Sequence, residues 1–180
     1  MFCGIDEAGR GSVMGPLVVG AVFCEDDRDL VAMGVKDSKK LTPRARERLF
    51  SEIGGSAEYT VVFVSAAEID ARRARESLNE IEMSMFAEAA GHRKVSRIYA
   101  DCPDVNESGF SNRLSVLTGN VKVIGRHGAD DTFPVVSAAS IVAKVTRDRM
   151  VEEISQEFGV SIGSGYPSDA ETMDFIEKWI

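Results

Sequence analysis

The chain opens on a short apolar run, Met1-Phe2-Cys3-Gly4-Ile5, that stops at two adjacent carboxylates, Asp6 and Glu7. A run this short, ended by charge, reads as a β-strand. Pro16-Leu17-Val18-Val19-Gly20-Ala21-Val22-Phe23 is β-rich and bounded by proline and an acidic cluster, which makes a second strand. Two strands in succession predict an antiparallel pair. Thr42-Pro43 sets a capping hydroxyl before a proline at the first helical position, so a helix opens there, runs to about Ile53 and closes at Gly54-Gly55. Tyr59 to Val64 is a third strand. Leu78, Ile81, Met85 and Phe86 then recur at spacings of three and four, the signature of a helix with one apolar face, ending near Gly91. Ile98-Tyr99-Ala100 is a strand running into Asp101, and Val121 to Ile124 is another. Pro134 to Phe158 forms a long helix packed through Val135, Ala138, Ile141 and Val142, and a last helix covers Ser168 to Ile180. Strands in a run, then strands alternating with helices, predict an α/β protein with a mixed sheet covered by helices.

The 180 residues, 44% hydrophobic and 28% charged, suffice for one core and one domain, taken as residues 1–180. There is no repeat, low-complexity tract or linker. No apolar stretch is long enough to span a bilayer, and the N-terminus has no basic segment followed by a long apolar run, so a cytoplasmic protein with no membrane role is expected. Cys3, Cys24 and Cys102 are odd in number and widely spaced, which predicts reduced, buried thiols and neither structural zinc nor a disulfide framework. The net charge of −8 argues against a polyanionic partner until its distribution is considered. Between Lys36 and Arg48 six basic residues stand against two acids. An acidic metal site beside a basic patch reconciles the two.

The chemistry-bearing residues follow the strands. Asp6-Glu7 at a strand end can hold a carboxylate at a sheet edge for a hard cation. In the following Gly9-Arg10-Gly11, the glycines permit a tight turn with amides close to a ligand, and Arg10 offers a fork to phosphate. Asp101 repeats the pattern of an apolar strand ending on an acid, and Ala129-Asp130-Asp131 precedes the start of the long helix. Several carboxylates that bridge two divalent ions can stabilise both oxygens of an in-line phosphoryl displacement. Read singly, each acid also suits a turn or a helix cap. A nucleotide-binding loop is disfavoured, because the third glycine comes a position late for Gly-x-Gly-x-x-Gly and Pro16 begins a strand where a helix should start. A divalent-metal phosphatase acting on small esters and a non-catalytic nucleic-acid binder are the remaining alternatives.

Taken together, Gly4 to Gly11, Asp37-Ser38-Lys39-Lys40-Leu41, Leu78-Asn79-Glu80, Tyr99-Ala100-Asp101, Ala129-Asp130 with Phe133-Pro134, Ser137 to Asp148, and Gly163-Ser164-Gly165-Tyr166-Pro167 resemble type 2 ribonuclease H, ribonuclease HII, in its archaeal form. The resemblance implies a ribonuclease H-like fold, a five-stranded mixed sheet flanked by helices. It implies catalytic, metal-holding carboxylates at Asp6, Glu7, Asp101 and Asp130, with Mg2+ or Mn2+ as cofactor. It also implies cleavage of the RNA strand of RNA/DNA hybrids and incision 5′ of ribonucleotides embedded in duplex DNA, leaving a 3′-hydroxyl and a 5′-phosphate, in ribonucleotide removal, repair and replication. Gly9, Arg10 and Gly11 would sense the ribonucleotide 2′-hydroxyl, largely through backbone contacts, and Tyr166 would pack on the deoxyribose of the next nucleotide. Ser38, Lys39, Arg46 and Lys144 resemble phosphate-contacting positions. The expected state is a monomer, with a sliding clamp as a candidate recruiting partner. Two departures stand out. His127-Gly128-Ala129-Asp130 lacks the lysine that archaeal relatives usually carry before Ala-Asp, and the chain stops at Ile180, where the family continues into a basic tail and another helix. Weaker substrate binding, or a catalytically weak homologue, is the expectation attached to the second.

Overall fold

The computed structural model describes residues 1–35 and 41–179. Strand β1 (Phe2–Ala8) pairs antiparallel with β2 (Leu17–Cys24), from Phe2 opposite Cys24 to Ala8 opposite Val18. β2 pairs antiparallel with β3 (Glu58–Val64). On its other flank β1 pairs parallel with β4 (Arg97–Asp101), which pairs parallel with β5 (Lys122–Arg126). The order β3-β2-β1-β4-β5 is the mixed five-stranded sheet expected. It corrects one expectation: β1 is the central strand, so Asp6 and Glu7 do not lie at a lateral edge. They lie within β1 near its carboxyl end, opposite Gly20 and Val19 of β2, where β1 has an antiparallel neighbour on one side and a parallel one on the other. Crevices outside such strand ends are where open α/β sheets bind ligands.

Among the described residues the chain forms eight helices: α1 (Arg28–Met33), α2 (Pro43–Ser56), α3 (Ala66–Arg73), α4 (Leu78–Gly91), α5 (Glu107–Leu117), α6 (Ala129–Thr132), α7 (Pro134–Phe158) and α8 (Ala170–Trp179). Side chains alternate across a strand, so the sheet has two apolar faces. Cys3 and Ile5 of β1, with Ile98 and Ala100 of β4, pack on Ile81, Met85 and Phe86 of α4 and on Phe110 and Leu114 of α5. On the other face, Val22 packs with Leu49 and Ile53 of α2 and with Val135, Ala138, Ile141 and Val142 of α7.

Two glycines set how closely α7 approaches. A Cβ on Gly4 would stand 2.3 Å from the Val135 carbonyl oxygen, and one on Gly20 would stand 2.7 Å from that of Ala139. Only bare backbone lets the helix lie this close, and this fixes the height of its side chains over the end of β1.

Three local expectations need adjustment. Gly54-Gly55 do not close α2, which continues to Ser56 and is capped by the Ala57 N–H on the Ile53 carbonyl at 2.8 Å. Two glycines cost about 1 kcal/mol each in a helix, less than burying Leu49 and Ile53 returns. α5 is held by an Asn106 cap and by only two buried residues, Phe110 and Leu114, a stripe too thin to stand out in the sequence. α1 buries Leu30 alone. Cys3 and Cys102 are buried and Cys24 is partly so; all three are free thiols, and burial pushes the Cys102 thiol up to about 11 and that of Cys24 to about 12. No helix among the described residues is long and apolar enough to cross a membrane.

Candidate active site

Strand alternation sends the two adjacent acids to opposite faces. Asp6 points to the α7 side, where Ser140 hydrogen-bonds its carboxylate and Lys144, one turn further along, donates to the Ser140 hydroxyl. Its Oδ1 also accepts from the Glu7 N–H at 2.8 Å. Glu7 points to the α4 side, within the fields of Glu82 and Arg10. In β4, Ala100 lies beside Ile5, so Asp101 comes next to Asp6 at the neighbouring parallel strand end. Asp101 Oδ1 accepts from the Ala129 N–H at 3.0 Å, which ties it to the first turn of α6, where Asp130 is buried. The four predicted carboxylates thus come to one end of the sheet, carried by β1, β4 and α6.

Burial and mutual repulsion shift these groups. Burial, offset in part by Lys144 and reinforced by Asp101, pushes the Asp6 carboxyl up to about 7. Burial, with Asp6, Glu82 and Asp101 nearby, holds that of Glu7 well above the usual range. Among the described residues Glu7 Oε2 is buried with no hydrogen-bond partner. No three acidic, histidine or cysteine side chains among those residues stand at ligand spacing; Asp6 accepts from the Glu7 N–H and Asp101 from the Ala129 N–H. An all-oxygen donor set with an orphaned carboxylate oxygen fits a hard divalent cation.

The turn that follows is built on its glycines. Gly9 (φ 100°) and Gly11 (φ 75°) both lie in the left-handed region, and Ser12 N–H closes the turn on the Gly9 carbonyl at 3.1 Å. The Gly9 N–H donates to the Tyr166 hydroxyl at 2.9 Å, so the structure brings together the two elements that sequence placed 157 residues apart. Arg10 departs from expectation. Its guanidinium is not held out toward solvent as a fork for phosphate; it pairs with Glu82 and donates to Asn79 Oδ1 at 2.9 Å. Asn79 in turn donates to Asp104 at 3.3 Å.

Glu82, 1% exposed, was missed in the sequence. Its only signal was a carboxylate between Ile81 and Met83 on an otherwise apolar helix face. Arg147, also 1% exposed, was missed as well, hidden within a longer helical block.

The remaining predicted positions divide. Lys144 stands beside Asp6 through Ser140. Arg46 donates to the Leu41 carbonyl at 2.9 Å and pairs with Asp148 at 3.3 Å. Ser38 and Lys39 lie outside the described residues. His127 donates its N–H to Glu107 at 2.7 Å and places Nδ1 3.1 Å from the Cys102 carbonyl. Gly128, the position noted as lacking a lysine, has φ 63° and caps α6, a conformation that would strain a lysine. An apolar cleft of about 460 Å3, lined by Met14, Pro16, Met150 and Ile154 among others, lies off the carboxylates and is not where this chemistry sits.

Comparison with known proteins identifies the family and agrees with the fold. A family profile described as Ribonuclease HII matches residues 3–180. Ribonuclease HII of Methanospirillum hungatei is 45% identical over 181 residues, spanning 100% of this chain and 85% of that protein. That of Thermococcus kodakarensis is 48% identical over 183 residues, spanning 99% of this chain and 79% of the relative. The Archaeoglobus fulgidus RNase HII solved in complex with PCNA superposes with a TM-score of 0.96 at 44% identity, covering 99% of this chain and 86% of that one. Bst-RNase HIII, solved in complex with Mn2+, shares the fold at a TM-score of 0.77 and 22% identity, covering 93% and 58% of the two chains. A match over nearly the whole sequence, on a sheet whose strand-end acids adjoin a glycine turn, means that the chain belongs to the ribonuclease HII family of ribonuclease H hydrolases.

Proposed function

We propose that this ribonuclease H cuts the RNA strand of RNA/DNA hybrids and incises duplex DNA 5′ of embedded ribonucleotides, leaving a 3′-hydroxyl and a 5′-phosphate, in ribonucleotide removal during repair and replication. The observation that carries the reading is the grouping of Asp6, Glu7, Asp101 and Asp130 at one sheet end, with the Gly9–Tyr166 contact next to them. Asp6, Glu7, Asp101 and Asp130 would hold two divalent ions, Mg2+ or Mn2+. When bound, these supply charge stabilisation for the in-line displacement and activate the attacking water.

The chain's own residues do the rest. Lys144 and Ser140 orient the Asp6 carboxylate and set a positive charge beside it. The Gly9-Arg10-Gly11 backbone, held by Glu82 through Arg10, faces the sugar, and the 2′-hydroxyl distinguishes RNA from DNA there. Tyr166, half-buried behind the turn, would sit against the following deoxyribose. Ser38, Lys39 and Lys144 would contact phosphates; Arg46, engaged with Asp148, is the weaker candidate.

The protein would act as a single catalytic domain and a monomer in the cytoplasm. A sliding clamp is proposed as its partner, supported by the Archaeoglobus fulgidus relative solved with PCNA. Family membership does not favour the non-catalytic alternative.

The test is a labelled DNA duplex containing one ribonucleotide, incubated with Mg2+ or Mn2+, with all-DNA duplex and Asp101→Asn as controls. Incision 5′ of the ribonucleotide, lost with chelator and reduced at least about a hundredfold in the variant, is expected. Binding without cleavage, or hydrolysis of a small phosphate ester but not of nucleic acid, would overturn the reading.

A further inference from the structure

We propose that Arg147 is the positioning residue that holds the Gly9-Arg10-Gly11 turn and Tyr166 in one geometry, and so sets the preference for an RNA-to-DNA step; this rests on the proposed roles of those two elements.

Arg147 is on α7 and is 1% exposed, among the largest fully buried side chains of the protein. Its hydrogen bonds go to backbone carbonyls from two separate connections. Nε donates to Pro16 at 3.2 Å and Nη2 to Met14 at 3.1 Å, both in the β1–β2 connection that begins with the glycine turn; Nη1 donates to Ser164 at 3.0 Å, in the loop that carries Tyr166. The guanidinium carbon also lies 4.5 Å from the centre of the Tyr166 ring. One planar fork therefore fixes three carbonyls and one aromatic face at once, which no other side chain can do.

The surroundings leave no slack. A Cβ on Gly9 would stand 2.7 Å from Arg147 Nε and 2.4 Å from the Pro16 oxygen, while one on Gly165 would stand 2.9 Å from Nη2 and 2.5 Å from the Met14 oxygen. Both glycines sit at positive φ, 100° and 81°. The two loops are also joined directly, by Val13 and Met14 N–H groups on the Gly165 carbonyl at 2.8 and 3.1 Å and by Gly9 N–H on the Tyr166 hydroxyl. A methionine would fill much the same volume without burying a charge, and a buried charge is costly where the hydrogen bonds that hold it go to neutral carbonyls. What a methionine would not do is hold Met14, Pro16 and Ser164 at set distances below Tyr166.

The experiment compares kcat/KM on two duplexes, DNA with a single ribonucleotide and a uniform RNA/DNA hybrid, for the wild type, R147K and Y166A. R147K keeps the charge and loses the fork and the stacked plane. Its ratio of single-ribonucleotide to hybrid cleavage should fall about tenfold, with an unchanged Mg2+ dependence. A purely structural role would lower both substrates together with the melting temperature and leave the ratio alone. If R147K fails to fold by circular dichroism, Gly165→Ala, which pushes on the guanidinium from the loop side, should produce the same fall. An unchanged ratio in the folded variant, with Y166A shifting it, overturns the inference alone. An unchanged ratio in Y166A overturns the reading of Tyr166, and the inference with it.

Discussion

Glu82 and Arg10 show how one residue pair can link a helix core to a ligand-facing turn. Glu82 is buried in α4, its Oε1 has no partner among the described residues, and burial pushes its carboxyl up to about 7 although Arg10 pulls the other way. Removing Arg10 leaves that carboxylate without its cation. Breaking a fully buried pair costs about 3–5 kcal/mol, and because Arg10 is partly exposed we expect Arg10→Ala to cost about 2 kcal/mol. The loss should be present above pH 7, where Glu82 is ionised in the wild type, and should shrink toward pH 5, where it is protonated in both proteins. Urea unfolding at pH 8 and pH 5 measures this; an equal loss at both would show that the pair is not electrostatically coupled. The pair also marks a limit of reading by residue type. Arg10 could be singled out from its glycine neighbours, but its partner could not, because Glu82 lies 72 residues away and only folding brings them together.

At the level of elements, the site depends on how α7 sits on the sheet. Gly4 and Gly20 let the helix backbone touch β1 and β2, which puts Ser140 and Lys144 over Asp6. Gly4→Ala places a methyl where the Val135 carbonyl now stands, so either the helix or the strand must move. Overpacking of this kind costs about 1–3 kcal/mol, and here the displaced helix carries site residues. The variant should lose thermal stability and an order of magnitude or more in kcat together; normal kcat at lowered stability would separate the packing from the chemistry. The long elements were legible: α7 runs over the predicted Pro134 to Phe158, and β2, β3, β4 and α4 begin or end within a few residues of expectation. Their apolar patterns are strong and their caps conventional, as in the capping box of Ser77 and Glu80. α1 and α5 escaped because they bury one and two residues, and α2 overran its glycines because packing outweighed propensity.

For the whole molecule, the grouped acids make stability depend on pH and metal together. Asp6 and Glu82 are raised to about 7, and Glu7 is raised as well, so between about pH 4 and 7 the metal-free folded state holds protons that the unfolded chain has released. Stability contributed by these groups is therefore fully present below the unfolded values and is lost as pH rises through about 7. In chelator the melting temperature should fall from pH 5 to pH 8, and Mg2+ or Mn2+ should raise it more at pH 8 than at pH 5, because cation and proton compete for the same oxygens. Equal stabilisation at both pH values would mean that the cation binds elsewhere. The carboxylates themselves, the glycine turn and the alternation of strands and helices could be read along the chain, since each is a local pattern of charge, backbone freedom or periodicity. Folding alone determined that β1 lies at the centre of the sheet, which helix covers each of its faces, and that Arg10 and Arg147 turn to Glu82 and to three carbonyls. These features depend on strand order and on contacts most of which span 72 to 133 residues, and local sequence carries no term for partners that far away.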